Sequence, residues 1–161
     1  MASVQTLSGT GSLRVCADLL VKIAGVKELF LPTPSWGNHA KIFGAGGLDV
    51  KGYGYLDAAG TGLDFALMKA DLAALPTKSV VLLHAAAHNP TGVDPTAAQW
   101  DELAVVFKEK GLVPLFDTAY QGFATVSSHA LFQGVASNAP NAVKIPPYST
   151  SSRKIACSFW V

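Results

Sequence analysis

The chain has 161 residues, half of them hydrophobic, and a formal net charge of +1, which suits a single globular domain with a sizeable core. Lys and Arg are not concentrated in any stretch, so the composition favours neither a nucleic-acid surface nor binding to an anionic membrane. No apolar run reaches the roughly 18 residues of a membrane span. Cys16 and Cys157 lie far apart, which predicts reduced thiols, with one disulfide as the alternative. We therefore expect an intracellular protein of the cytoplasm, with the mitochondrion and the plastid as alternatives.

Hydrophobic spacing in the first half of the chain predicts alternating helices and strands. Leu13, Ala17 and Leu20 fall on one face of a helix, and Gly25 is a natural stop after it. The pattern predicts, in order, a helix over residues 10–24 entered through SGTG at 8–11, a strand over 28–31 ended by Pro32, a loop over 32–35, a helical turn near Trp36, a strand over 49–53 and a helix over 62–74.

The second half contains the clearest strand–helix–strand unit. Residues 79–83, SVVLL, contain four consecutive apolar residues, as in a strand buried on both faces. Thr96 and Gln99 match a capping box at the start of an amphipathic helix, which Gly111 ends. Residues 112–116 form a second apolar strand, so the unit predicts a right-handed crossover between parallel strands. The predicted fold class is α/β, with three layers, α/β/α, around a mostly parallel sheet.

Ligands of parallel sheets collect beyond the carboxyl ends of the strands, here residues 84–92 and 117–122. In the first loop, His84 and His88 have the HxxxH spacing that on a helix would present two imidazoles to a metal. The preceding strand and Pro90 leave little room for a helix, and no third ligand lies nearby in sequence. We therefore predict no metal here and interpret both histidines as buried supporting residues.

The composition changes near Thr125. All 11 acidic residues lie between Asp18 and Asp117, whereas residues 126–161 contain no acidic residue, seven serines and three basic residues. A folded enzyme segment of this length without a carboxylate is unusual. We therefore expect residues 1–125 to form one domain and residues 126–161 to be an unrelated, poorly ordered tail.

The segment Asn89-Pro90-Thr91-Gly92 is by itself typical of a turn, because Asn and Gly tolerate positive φ and Pro fixes the corner. It occurs together with four other motifs, in the order VQTLSGTGSLR, LPTPSWGNH, DVKGYGYLD, HAAAHNPTGVDPT and FDTAYQGFA. Over residues 2–125 this combination closely resembles the aspartate aminotransferase family of pyridoxal-phosphate enzymes. The resemblance implies a partial large domain of the pyridoxal-phosphate-dependent transferase fold, with pyridoxal 5'-phosphate as cofactor. It also implies an amino acid and a 2-oxo acid as substrates and a homodimeric enzyme.

The resemblance assigns the cofactor's phosphate and ring to particular residues. Ser8, Gly9 and Thr10 hold the phosphate, which agrees with the free N–H groups of a helix start; an ordinary helix cap is the alternative. Trp36 stacks on the pyridine face and also lies at the substrate, with a core tryptophan as the alternative. Asp117 pairs with the protonated pyridine nitrogen, where its alternative is a turn cap.

Four further residues complete the implied site. Tyr120 donates to the phenolic oxygen of the cofactor, and Asn89 binds the same oxygen and reaches the substrate carboxylate. His39 orients the aspartate, with a surface histidine as the alternative. His84 is assigned a supporting role behind these groups.

The family also needs a Schiff-base lysine, which moves the proton during transamination. Lys144 and Lys154 are the only lysines after Asp117, and Lys154 is a weak candidate because only a Ser-x-x-Lys match supports it. Arg14 and Arg153 match neither of the family's substrate-binding arginines.

The resemblance therefore predicts the family's reaction, amino-group transfer between aspartate and 2-oxoglutarate. This chain resembles only part of such an enzyme, so we expect little or no turnover from it alone. The alternative is a non-catalytic fragment or partner-binding splice product of such an enzyme. The sequence does not separate aspartate from aromatic substrates.

Overall fold

The computed structural model describes residues 2–120, 143–145 and 155–159. Helices and strands alternate through most of these residues, as the sequence predicts. The elements are β1 (Ala2–Thr6), α1 (Ser8–Lys22), β2 (Glu28–Thr33), α2 (Asn38–Ala45), β3 (Asp49–Gly54), α3 (Phe65–Ala74), β4 (Val80–His84), α4 (Ala97–Lys110), β5 (Val113–Asp117), β6 (Val143–Ile145) and β7 (Ile155–Phe159).

All the strands belong to one seven-stranded sheet with the order β1-β7-β6-β5-β4-β2-β3. Four neighbouring pairs are parallel, from β3 through β2, β4 and β5 to β6. Only β7 runs antiparallel to its neighbours, β1 and β6. The predicted α/β class with a mostly parallel sheet is therefore confirmed.

The helices cover both faces of the sheet, because strand side chains alternate between the two faces. On β4, Val81 and Leu83 pack into a core with α3 and α4. Val80 and Leu82 point the other way, into a second core with α1 and α2. All five residues of β4 are buried, which explains its uninterrupted apolar sequence.

The α4 helix shows how local sequence sets its own ends. The Thr96 hydroxyl accepts the N–H of Gln99, and the Gln99 side chain accepts the N–H of Thr96, so the capping box is present. Gly111 ends the helix at a φ of 62°, where a residue without Cβ is favoured. The helix thus begins and ends where its sequence predicts.

Several predicted boundaries are wrong by two or three residues. The helix predicted over 62–74 begins at Phe65, because Leu63 pairs with Leu56 and Asp64 caps the helix. The strand β2 continues through Pro32 to Thr33, because beyond Phe30 it pairs only with β3 and no longer with β4. A proline lacking an N–H is tolerated where one neighbour is absent. Helix α1 begins at Ser8 rather than at residue 10, so the SGT segment is its first turn.

The first strand was not predicted, because β1 pairs only with β7, which lies at the other end of the chain. Two of the strands, β6 and β7, come from the segment 126–161. The predicted boundary at residue 125 and most of that segment lie outside the described residues, as does Lys154. Among the residues described, no helix combines the length and the apolar character that a membrane crossing requires.

Candidate functional site

A cavity of about 230 Å³ opens where the ends of β4 and β5 meet the start of α1. In parallel sheets the carboxyl ends of the strands lie at one edge, so the loops that follow them converge there. The register places His84 directly beside Asp117. The residues that line the cavity are Gly9, Thr10, Leu13, Trp36, His84, Ala86, Asn89, Asp117, Ala119 and Tyr120.

The acidic side of the cavity is the carboxylate of Asp117, whose side chain is 14% exposed. Its Oδ2 atom lies 2.9 Å from Nε2 of His39, which is fully buried. His39 lies in the first turn of α2, so helix α2 fixes the orientation of a group on β5. A carboxylate held in this way keeps its second oxygen for a ligand.

A chain of hydrogen bonds continues from His39 behind the cavity. The Ser35 hydroxyl lies 2.7 Å from His39 Nδ1 and 3.2 Å from His84 Nε2. The Asn89 N–H donates to His84 Nδ1 at 3.4 Å, so that nitrogen is an acceptor. In a neutral imidazole the other nitrogen then carries the proton.

The protonated Nε2 of His84 fixes the direction of every hydrogen bond in this series. His84 Nε2–H donates to Ser35, the Ser35 O–H donates to His39 Nδ1, and His39 Nε2–H donates to Asp117. Every donor therefore points toward Asp117, whose charge is stabilised from within the protein.

Three imidazoles lie side by side in this region. The ring of His84 is 5.1 Å from that of His39 and 4.2 Å from that of His88. Burial, together with the neighbouring rings of His88 and His39, lowers the pKa of His84 from 6.5 to about 2. Burial also lowers the pKa of His88 to about 4, although the nearby Asp94 opposes this effect. Both rings are therefore neutral near pH 7, as the hydrogen-bond directions require.

The free energy of unfolding should fall as the pH is lowered from about 6.5 toward 4. The native pKa values of His84 and His88 lie below the unfolded value of 6.5, so the unfolded chain takes up protons first. The two histidines make their full contribution to the free energy of unfolding above pH 6.5. As the pH falls below this value, each histidine's contribution decreases with a slope that approaches about 1.4 kcal/mol per pH unit. Urea unfolding at a series of pH values measures this slope. It should be flatter in His88→Gln, and equal slopes in both proteins would contradict the assignment.

The first turn of α1 forms a second part of the cavity lining. The first intrahelical bond here is donated by Gly11 N–H to the Leu7 carbonyl, so the N–H groups before it have no intrahelical acceptor. Leu7 offers no side-chain cap, and the turn contains no acidic residue. Gly9 and Thr10 line the cavity. Such an end of a helix favours an anion.

Ser8 is the one proposed phosphate ligand that is not among the described lining residues. It is the first residue of α1, and its carbonyl accepts the hydroxyls of Thr6 and Ser12, each at 3.4 Å. Its neighbour Gly9 lines the cavity directly. Ser8 therefore lies beside the cavity rather than on its surface.

Three more of the predicted residues meet at the same cavity. Trp36 lies edge-on to His39, with ring centroids 5.3 Å apart and planes at 86°. Asn89 lies in the loop after β4, and Tyr120 follows β5 with 42% of its surface exposed. The structure therefore brings the loop after β2 to the two loops that follow β4 and β5.

Sequence reasoning missed Ser35, although it joins His39 to His84. Its signal was present in the PSWGNH motif, where Ser35 and His39 are four residues apart on the turn that enters α2. Sequence reasoning also missed Asp94 and Tyr55, whose contacts hold the loop that carries Asn89. Nothing in the sequence around Tyr55 shows that the segment after β3 reaches this loop. In the described ranges, no group of three or more His, Cys, Asp or Glu side chains could hold a metal ion.

Fold and cavity together define an α/β protein in which an anion-favouring helix start and a fixed carboxylate line one cavity. A model of the family "Aminotransferase class I and II" matches residues 1–151, so the match extends beyond residue 125. The chain belongs to this family, whose members depend on pyridoxal phosphate.

Curated relatives and solved structures agree with this membership. The chain is 52% identical over 127 residues to the mitochondrial aspartate aminotransferase of Dictyostelium discoideum, covering 79% of this chain and 30% of the relative. It is 53% identical over 135 residues to aspartate aminotransferase 1 of Medicago sativa, covering 84% and 32% respectively. The chain thus spans about a third of the length of these relatives.

Two solved structures extend the comparison to the fold. A mitochondrial aspartate aminotransferase from Trypanosoma brucei gives a TM-score of 0.89 at 37% identity, covering 99% of this chain and 44% of that one. An aromatic-amino-acid aminotransferase from Burkholderia pseudomallei, covalently bound to pyridoxal phosphate, gives a TM-score of 0.90 at 36% identity, covering 99% and 42%. The likeness therefore includes aminotransferases of both substrate types.

Proposed function

We propose that the cavity is a pyridoxal-phosphate site and that the chain is the cofactor-binding part of an aspartate aminotransferase. One observation carries this proposal: a carboxylate fixed by a buried histidine and an uncapped helix start line the same cavity. Pyridoxal phosphate carries a basic ring nitrogen at one end and a phosphate at the other. The residues present therefore fit both ends of the cofactor.

The residues divide the work of binding between the two ends. We assign the phosphate to the N–H groups of Ser8, Gly9 and Thr10 and to the hydroxyls of Ser8 and Thr10, and we assign the ring nitrogen to Asp117. A negative carboxylate next to that nitrogen keeps it protonated. When bound, the cofactor supplies a ring that accepts electrons from the substrate's α-carbon.

Three side chains complete the proposed ring pocket. We assign Trp36 to the ring face and to the substrate side, where its indole excludes water. Tyr120 donates its O–H to the phenolic oxygen, and the Asn89 amide donates to the same oxygen and to the substrate carboxylate. His39 holds Asp117 directly, and His84 supports His39 through Ser35.

The reaction assigned to the whole protein is amino transfer between aspartate and 2-oxoglutarate, in a homodimer. The aspartate aminotransferases among its relatives support this choice, and their names include mitochondrial, cytoplasmic and chloroplastic forms. We propose an intracellular, reducing compartment from the two widely spaced cysteines, with the cytoplasm as the first choice and the mitochondrion and the plastid as alternatives.

A second candidate is a non-catalytic cofactor-binding product. This candidate is favoured by the sequence after Asp117, where neither Lys144 nor Lys154 stands in a stretch like that around the family's Schiff-base lysine. On this alternative the chain binds pyridoxal phosphate without a covalent bond and catalyses no transfer.

Both candidates require the chain to bind pyridoxal phosphate, and titration of the full chain with this cofactor tests that requirement. Binding should quench tryptophan fluorescence and shift the absorption spectrum of the cofactor, and a spectrum identical to that of free compound would overturn both candidates. Borohydride reduction followed by peptide mass analysis then decides between them. An adduct at Lys154 that is lost in Lys154→Ala supports the aminotransferase, whereas bound cofactor without an adduct on any lysine supports the non-catalytic product.

A further inference from the structure

The loop between β4 and α4, residues 85–96, brings Asn89 to the cavity, and Asp94 contacts this loop from its far end. One oxygen of the Asp94 carboxylate accepts the N–H of Ala87 at 2.7 Å, and the other accepts the N–H of His88 at 2.9 Å. Hydrogen bonds to an ionised acceptor are stronger than those between neutral groups. A single side chain therefore fixes two successive peptide groups immediately before Asn89.

The backbone at this point needs such support. Ala87 has a φ of 51°, in the left-handed region that a residue with a Cβ rarely adopts. The unusual turn changes the direction of the chain after β4, and Asn89 follows two residues later. Loss of the Asp94 contacts would let Ala87 return to a more favourable φ and would move Asn89 relative to the cavity.

The rest of the loop is anchored independently of Asp94. The Thr91 hydroxyl lies 2.8 Å from His88 Nδ1 and accepts the Val93 N–H at 3.1 Å. The Tyr55 hydroxyl donates to the Val93 carbonyl at 2.7 Å, and its ring stacks on His88 with centroids 4.0 Å apart. Removing Asp94 should therefore change the turn locally rather than release the loop.

We propose that Asp94 is a positioning residue of the cofactor pocket: through the N–H groups of Ala87 and His88 it holds the turn that presents Asn89 to the cavity. Asp94 is not among the described residues that line the cavity, so it acts through Asn89. The inference rests on the proposed function, because pyridoxal phosphate is the ligand that Asn89 would contact.

A double-mutant cycle on the full chain tests this coupling. Asp94→Asn keeps the shape of the side chain but replaces one acceptor oxygen by an NH₂ group. We expect Asp94→Asn to raise the dissociation constant of pyridoxal phosphate about three- to tenfold, and the double variant with Asn89→Ala to bind as Asn89→Ala does. Independent, additive losses in the double variant would overturn the proposal.

A matched control is available in another loop. The Asp57 carboxylate also accepts a backbone N–H, that of Thr61 at 2.9 Å, but Asp57 does not line the cavity. Asp57→Asn should leave the dissociation constant unchanged. An equal loss in Asp57→Asn and Asp94→Asn would show a general effect of loop carboxylates and would overturn the specific role of Asp94.

Amide hydrogen exchange gives a readout that does not depend on the cofactor. The N–H groups of Ala87 and His88 should exchange faster in Asp94→Asn than in the wild type, and unchanged exchange would overturn the proposal. Failure of the wild type to bind pyridoxal phosphate would overturn the proposed function, while this exchange comparison still decides whether Asp94 holds the turn. Should Asp94→Asn not fold, Asp94→Glu, which displaces the carboxylate by one methylene, is expected to give the same directions in both measurements.

Discussion

Replacing Asp117 by alanine should weaken pyridoxal-phosphate binding about 10- to 150-fold. Hydrogen bonds to a charged group contribute about 1.5–3 kcal/mol, and each 1.4 kcal/mol corresponds to about a factor of ten in the dissociation constant. The effect should be near the upper end, because His39 is fully buried and holds the carboxylate at 2.9 Å. Fluorescence titration of the full chain measures it.

Two further variants separate loss of charge from loss of structure. Asp117→Asn keeps an oxygen that can accept the His39 N–H, yet it should also bind weakly because its amide carries no charge to keep the ring nitrogen protonated. Asp101→Ala removes an exposed carboxylate on α4 and should bind as the wild type does. Wild-type affinity in Asp117→Asn would refute the assigned ring-nitrogen contact.

Replacing Phe107 by alanine should lower the free energy of unfolding by about 3–5 kcal/mol. Phe107 is 1% exposed and packs from α4 into the core formed with α3 and the sheet. Truncation removes the buried ring and leaves a cavity that the surrounding strands can only partly fill. Urea unfolding monitored by circular dichroism gives the change.

The same helix supplies the control for this prediction. Val105 is 54% exposed, so Val105→Ala should change the free energy of unfolding by no more than about 0.5 kcal/mol. If both variants were destabilised equally, α4 would not pack against the sheet in the observed orientation, and the loops at the ends of β4 and β5 would lose their fixed spacing.

The elements that the sequence predicts well are those whose signals are local. The capping box of Thr96 and Gln99 and the left-handed Gly111 define α4 from neighbours within one turn. The apolar run of β4 reflects its burial on both faces. The strand–helix–strand order then predicts parallel pairing, because only a crossover returns the second strand in the same direction.

Strands whose bounds depend on pairing with distant parts of the chain could not be predicted from local sequence. Strand β1 is stabilised by pairing with β7 across nearly the whole chain. The continuation of β2 through Pro32 depends on where its pairing with β4 ends. Neither fact can be obtained from a short window of sequence, because backbone pairing depends on which strands lie beside each other.

For the candidate site, the sequence by itself determined which residue types were available and which strand ends would carry them. Asp117, Asn89 and Trp36 were identified from motifs, since each motif is a short local pattern. The tertiary structure alone decided the series of hydrogen bonds from Asn89 through His84, Ser35 and His39 to Asp117. The physical reason is that a hydrogen bond requires its two atoms to lie within about 3 Å, and residues from separate loops reach that distance only when the sheet has assembled.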